Sequence, residues 1–179
     1  MKLYTKTGDD GFTQQPGGQR VGKDSPCIEA VGSIDELSAQ IGLCFQAAEQ
    51  AGQVEIAEVL APLQAELFGV GALLSTAEAD VKPSDPAVER MERQIDAMCA
   101  ELLKLASFIL PGGCKLACRL HAARAVCRRA ERRVVALAQA GAKLPPVVLR
   151  YFNRLGDLLF AAARMANHNA GVEEAVWKP

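Results

Sequence analysis

Aromatic residues make up only 5% of this 179-residue chain, with one Trp, two Tyr and six Phe. A core with so few rings must be filled by Ala, Leu and Val, which is the composition of packed helices. Excess charge is lacking as well. Twenty basic and twenty-one acidic side chains leave a formal charge of −1. That excludes a protein that coats nucleic acid or an acidic membrane, and it confines any anion site to a local cluster. No run reaches the ~18 uninterrupted apolar residues that span a bilayer, because Glu66, Glu78, Arg119 and Asp157 break the candidates. The opening MKLYTKTGDDG has no apolar stretch of the secretory kind. The six cysteines, at 27, 44, 99, 114, 118 and 127, are therefore expected as reduced thiols in a cytoplasmic protein.

Several catalytic signatures are also missing. There is no GxGxxG, no HExxH and no serine nucleophile elbow, which removes the dehydrogenase, zincin and hydrolase readings. Gly17 to Asp24 nearly spells a Walker A sequence, but Asp24 stands where Ser or Thr must reach magnesium, and Pro26 follows where a helix should run. Lys23 and Arg20 remain as free-standing phosphate ligands. Cys114, Cys118 and His121 share a helical face but lack a fourth ligand, and neither His121 nor His168 has a Glu three residues before it. No metal site is assigned to the chain itself.

What is present divides the chain within one domain, 1–179: a glycine-rich segment over 1–32, helices over 33–169, and a tail over 170–179. Six of the fifteen glycines precede residue 33, so the first segment reads as loop, with a short strand at Lys2–Thr5. Ser33 with Glu36 three residues on predicts a capping box and a first helix to about Gln50. A second helix is expected from Val54 or Pro62 through Leu74, with Pro62 as kink or first turn. A third runs from Pro86 to about Leu103, a fourth from Cys114 to Ala140 and a fifth from Val147 to Asn169. Apolar residues at 116, 120, 123, 127, 130, 134 and 137 alternate in steps of four and three, as in a bundle seam. The fifth helix repeats the pattern through Val148, Phe152, Leu155, Leu159, Ala162 and Ala166. An all-α, five-helix up-and-down bundle follows.

The fourth helix also carries HAARAVCRRAERR. At about 100° per residue, Arg124, Arg128, Arg132, His121 and Glu131 fall in one stripe beside the seam, while Arg129 and Arg133 fall on the far side. Such a run is a solvated face in many helices, but three guanidiniums flanking a buried seam repel one another unless an anion sits among them. Polyphosphate would supply it. The loop Thr5-Lys6-Thr7-Gly8-Asp9-Asp10-Gly11-Phe12-Thr13 has the parts of a phosphate cradle, or of an ordinary turn-rich N-terminal tail. Phe108 reads as core beside Ile109 and Leu110. Pro111-Gly112-Gly113 just beyond sets it instead at a loop margin where the ring can project into a cleft.

Together YTKTGDDGFT, AVGSIDELSAQIG, RAVCRRAERRV and YFNRLGDLLFAAAR resemble, in that order, the PduO-type ATP:cob(I)alamin adenosyltransferases. The resemblance extends from Tyr4 to the closing GVEEAVWKP. It implies a five-helix bundle assembled as a homotrimer, with ATP bound between subunits, and transfer of the 5′-deoxyadenosyl group of ATP to Co(I) of a corrinoid such as cobalamin, with triphosphate released. By the same resemblance Thr5, Lys6, Thr7, Gly8, Thr13, Gln14 and Lys23 contact the nucleotide. So do Arg128, Arg129, Ala130, Glu131 and Arg132, with Asn153 reaching the nucleoside. Arg124 and Asp35 resemble a pair joining adjacent subunits. Phe108 resembles the ring that occupies the lower corrin face. Mg2+ is expected with ATP, and a cob(II)alamin reductase or an adenosylcobalamin-dependent enzyme as a partner. The rival readings are an ATP-binding sensor or corrinoid-delivery bundle without chemistry, and a thiol or metal redox bundle. The chain departs from the family pattern at Gly156, where Ser is usual, at Cys114, where Ser or Thr is commoner, and at Gln14-Gln15-Pro16.

Overall fold

The computed structural model describes residues 3–76 and 83–178. A short antiparallel hairpin, β1 (Phe12–Gln14) and β2 (Arg20–Gly22), precedes the helices α1 (Pro26–Gln50), α2 (Val54–Leu60), α3 (Leu63–Thr76), α4 (Asp85–Glu101), α5 (Lys115–Gln139) and α6 (Pro146–Asn169). In the hairpin Phe12 pairs with Gly22, Thr13 with Val21 and Gln14 with Arg20. The expected strand is thus displaced from residues 2–5 to 12–14. Lys2 lies outside the described residues, and the Thr5 region forms no strand.

α1 starts seven residues before the expected cap. Pro26 occupies the first turn, where its missing N–H costs nothing, and Glu29 complements the helix dipole there. Ser33 lies inside the helix, buried, and its hydroxyl donates to the Glu29 carbonyl at 2.8 Å. The glycine count was misleading at this point, since Gly32 sits in the helix without a break. Pro62 splits the second expected helix into α2 and α3, but Ala61 keeps helical angles (φ −51°, ψ −44°) and the rod continues across it. Val54–Thr76 as a whole is long and apolar enough to cross a membrane by length and composition. Its inner face, Leu63, Leu67, Val70, Leu73 and Leu74, is taken up by the core.

α5 packs between α1 and α6, α6 carries α4, and α1 carries α3. The seam expected on α5 and the one expected on α6 are both wholly buried. Alanines at 123, 130, 162 and 166 lie in these seams at 0% exposure, and small side chains let the two backbones approach closely. A polar contact closes the ring of helices: Arg90 of α4 pairs with Glu66 of α3 at 2.7 Å, and the buried Tyr151 hydroxyl of α6 donates to the same carboxylate at 3.0 Å. Burial first, and then the Glu66 charge, push the Tyr151 phenol above its usual range, so it remains a donor.

The start of α5 and the C-terminus bear directly on the site. Cys114 is the N-cap of α5, its sulfur accepting from the Ala117 N–H at 3.4 Å, which is the task a Ser or Thr would perform there. The tail does not hang free. Ile109 bridges to Val176, Leu110 N–H donates to Ala175 O at 2.8 Å, and Trp177 N–H donates to Phe108 O at 2.8 Å.

Candidate active site

Arg128 sits where α5 meets α6. Its Nη1 donates to Glu131 Oε2 and to Asn153 Oδ1, both at 3.0 Å, and Nη2 donates to Asp157 Oδ1 at 3.1 Å. Arg154 shares Asp157 through a 3.0 Å bond to Oδ2 and reaches Glu92 of α4 at 3.0 Å. Five alternating charges, Glu131, Arg128, Asp157, Arg154 and Glu92, thus run from α5 across α6 to α4. Burial opposes the charge on Arg128, but the bonds and charges of Glu131 and Asp157 outweigh it and raise the guanidinium pKa. Gly156 explains how the guanidinium comes to lie on α6: a Cβ there would stand 2.9 Å from Arg128 Nε. The departure at Gly156 and the placement of Arg128 are therefore linked.

The rest of the arginine run separates as the helical angles predict. Arg129 pairs with Glu36 and Arg133 with Glu29 at 3.1 Å, both on the α1 side. Ala130 faces the core at 0% exposure and offers no side chain to a ligand. Arg132 is exposed. Arg124 lies over the Phe160 ring, 5.1 Å from its centroid, and His121 packs against the same ring at 6.0 Å. Among the described residues neither Arg124 nor Asp35 forms an ion pair within the chain. Asp35 lines an apolar cleft of ≈ 460 Å³ between α1 and α3, beside the exposed Phe68 and the partly buried Val31.

The N-terminal loop assembles around Lys23. Lys23 N–H donates to Gly11 O at 2.9 Å, and a Cβ on Gly8 would touch the Lys23 side-chain nitrogen at 3.3 Å, so the amine crosses the 6–8 turn. Lys6 holds a positive φ of 64°, and Thr5 and Thr7 hydroxyls share a 2.8 Å bond. Thr13 and Gln14 lie in β1, with the Gln14 amide donating to Gly18 O at 3.4 Å. Arg20, expected as a free cation, instead pairs with Asp10 and covers Phe12. Among the described residues no hydrogen bond or ion pair joins residues 5–24 to the Arg128 cluster, so one chain does not bring the two halves of the expected nucleotide site together.

Phe108 is 81% exposed, which rules out the core alternative, and it shares a cleft with Leu105, Ala106, Ser107 and Trp177. Cys127 belongs to the core. Burial first and the Glu131 charge second push its thiol up to about 12, which removes it from thiolate chemistry. Sequence reasoning missed Asp157, Arg154 and Trp177. Asp157 was discoverable, since it lies four residues after Asn153 and so on the same helical face.

The family model for cobalamin adenosyltransferases matches residues 3–166. The chain belongs to that family. A corrinoid adenosyltransferase of Bacillus subtilis is 46% identical over 99% of this chain and 93% of its own length. The human corrinoid adenosyltransferase MMAB is 42% identical over 98% of this chain and 73% of its own. Among solved structures, a phenylalanine-to-alanine variant of the PduO-type ATP:corrinoid adenosyltransferase from Lactobacillus reuteri, complexed with cobalamin and ATP, superposes with a TM-score of 0.92 at 35% identity, covering 99% of this chain and all of that one.

In this cobalamin adenosyltransferase chain His121 is buried, and its Nε2 has no hydrogen-bond partner among the described residues. Burial, and after it the Arg124 charge, lower its pKa against a weaker opposing pull from Glu174. A histidine whose folded pKa lies below the unfolded value of 6.5 costs no stability above that value. Stability is lost as the pH falls from there toward the folded pKa, because only the unfolded chain takes up the proton. His121→Gln should therefore show a smaller drop in urea midpoint between about pH 7 and about pH 5 than the wild type. Parallel drops in both proteins would mean that His121 is free to charge in the fold.

Proposed function

We propose that this chain transfers the 5′-deoxyadenosyl group of ATP to the Co(I) of a corrinoid such as cobalamin, releasing triphosphate. The observation that carries the reading is the half-buried Arg128 guanidinium, gathered with Glu131, Asn153 and Asp157 at the α5–α6 junction in a member of this family. In the reaction the cobalt electron pair forms the Co–C5′ bond. The C5′–O bond breaks, its electron pair leaves with the triphosphate, and cobalt passes from +1 to +3. Co(I) is itself a strong nucleophile, so the chain needs no activated side chain. Its tasks are to align C5′ with cobalt and to neutralise the leaving group.

Arg128 takes the second task. When it turns to phosphate it releases Asp157, which keeps its 3.0 Å partner Arg154 and so is not left as a bare carboxylate. Asn153 then addresses the nucleoside. Thr5, Lys6, Thr7, Gly8, Thr13, Gln14 and Lys23 cradle the phosphates from a neighbouring subunit, in keeping with the lack of bonds between that loop and Arg128 within one chain. Arg129, held by Glu36, contributes field more than contact. Mg2+ bound with the triphosphate would screen its charge, and Glu131 and Asp157 supply the hard oxygen donors nearest Arg128 that would suit it. Asp35 and Arg124, which form no ion pair among the described residues of one chain, meet across the interface of a cytoplasmic homotrimer, with Phe68 in the same apolar cleft as Asp35. Phe108 lies against the lower corrin face and excludes the axial ligand and water. A cob(II)alamin reductase or an adenosylcobalamin-dependent enzyme is the partner this role calls for.

Anaerobic incubation with ATP, magnesium and chemically reduced cobalamin should give the adenosylated spectrum together with triphosphate. Formation of ADP and phosphate without adenosylated corrinoid would replace the transferase by an ATPase. Arg128→Ala should lower kcat/KM by about a hundredfold or more, the loss of one charge-assisted contact worth about 3 kcal/mol in the transition state. Arg133→Ala, tied to Glu29 at 3.1 Å on the far side, should change it little; equal losses would contradict the assignment of the two faces.

The shared site predicts that light scattering finds a trimer and that Asp35→Asn weakens assembly or ATP affinity. A mass of one 19.1 kDa chain with full activity would refute it.

Phe108→Ala should cripple turnover when a mild reductant must reduce Co(II), because removal of the lower ligand eases that reduction. With preformed Co(I) the loss should be much smaller, and ATP affinity and melting temperature should stay near wild type. Equal losses in both assays would detach Phe108 from the corrin face.

A further inference from the structure

Arg164 is a charged side chain left at only 8% exposure on α6, outside the Arg128 cluster, and the chemistry above does not use it. Its Nε donates to both Glu174 oxygens, at 3.0 and 3.1 Å, and its Nη2 donates to the Leu103 carbonyl at 2.8 Å. Leu103 begins the segment that carries Phe108, and Glu174 lies in the tail that carries Trp177. These two segments pair with each other through the Leu110–Ala175 and Trp177–Phe108 backbone bonds. One guanidinium therefore holds both partners of that pairing to the bundle. The far end of the first segment is fixed by Asn167, one turn on, which donates to Gly112 O at 3.0 Å and accepts from Cys114 N–H at 2.9 Å. Gly113 leaves room for this contact: at its φ of +109° a Cβ would stand 2.0 Å from Asn167 Oδ1.

A buried ion pair is a poor device for stability alone, since a hydrophobic replacement of similar volume is often neutral or better. What the planar guanidinium supplies is geometry, with two donor nitrogens making three bonds at once, two to the Glu174 carboxylate and one to the Leu103 carbonyl. We propose that Arg164 is a positioning residue for the corrinoid: with Glu174 it locks the tail onto the 103–110 segment, so that Phe108 and Trp177 form one apolar wall. The inference rests on the reading of Phe108 as the corrin-facing ring, and it adds Trp177 and the clamp behind it. Without the clamp the wall has two short backbone bonds to hold it, at an exposed edge where water competes for both.

Trp177 is the only tryptophan in the chain, so its emission and its quenching by acrylamide report tail docking with no ligand present. In Arg164→Met, which keeps much of the stem, and in the gentler Glu174→Gln, whose carboxylate is partly exposed, quenching should increase. The KM for cobalamin should rise by about tenfold, the equivalent of about 1.4 kcal/mol, with the KM for ATP within about twofold of wild type. Arg164→Lys, retaining the charge without the fork, should rescue only part of the effect. If Arg164→Met does not fold, Glu174→Gln carries the test. Wild-type quenching in a folded variant, or a released tail with an unchanged cobalamin KM, would overturn the proposal. Phe108→Ala separates the two levels. Should it impair cobalamin kinetics while the clamp variants do not, the clamp alone is wrong; should it have no effect either, the corrin-face reading has failed first.

Discussion

Alanines at 123, 130, 162 and 166, all at 0% exposure, let α5 and α6 lie close together, and most of the polar geometry depends on how close they are. A larger side chain in that seam would hold the helices apart by more than a hydrogen bond tolerates. Arg128 could then not reach Asn153 and Asp157 from across the junction, and Gly156 would have no guanidinium resting on it. The same helix pair explains why the cluster is only half-buried. The apolar seam keeps water from one side of the guanidinium, while the outer side remains open to an anion, which is the condition under which a charge-assisted contact is strongest.

The parts of the fold that were legible in the sequence are those where periodicity and punctuation agree. The steps of four and three along α5 and α6 name buried residues without exception, and α5 begins within one residue of the expected Cys114, which turns out to be its N-cap. The misreadings have a common cause, the weight given to local composition. Gly32 suggested loop, yet a helix already begun by Pro26 carries it at a cost of about 1 kcal/mol that tertiary packing covers. Three-residue strands such as β1 and β2 leave too little alternation to detect. The docking of residues 175–177 on 108–110 is a contact between segments more than sixty residues apart, and neither segment has a pattern that announces the other.

For the site, the sequence separates the arginines correctly, because helical angle alone distinguishes the face of Arg128 from that of Arg129 and Arg133. Of the partners of Arg128 it places Glu131 in the same stripe, while Asp157 on α6 can be reached only through Asn153, one turn before it on the same face. Ala130 illustrates the converse: it sits inside a motif implied by resemblance, yet its Cβ points into the core. A contiguous run of five residues on a helix cannot all face one ligand, so any contact from that position has to come from its neighbours.

α6 also sets the distance between the two chemical regions. Asp157, beside Arg128, and Arg164, behind the Phe108 and Trp177 wall, are both fixed on this one helix. Seven residues of helical rise separate them by about 10 Å along the axis. A single helix thus fixes how far the Arg128 cluster lies from the edge where residues 175–177 dock on 108–110, with no loop between the two anchors. The N-terminal loop stands outside this rod. It is a hairpin with exposed hydroxyls and amines around Lys23, and among the described residues it packs mainly on itself. Helical packing therefore fixes the spacing of the Arg128 cluster and the 108–110 edge, while the loop presents its polar groups to solvent.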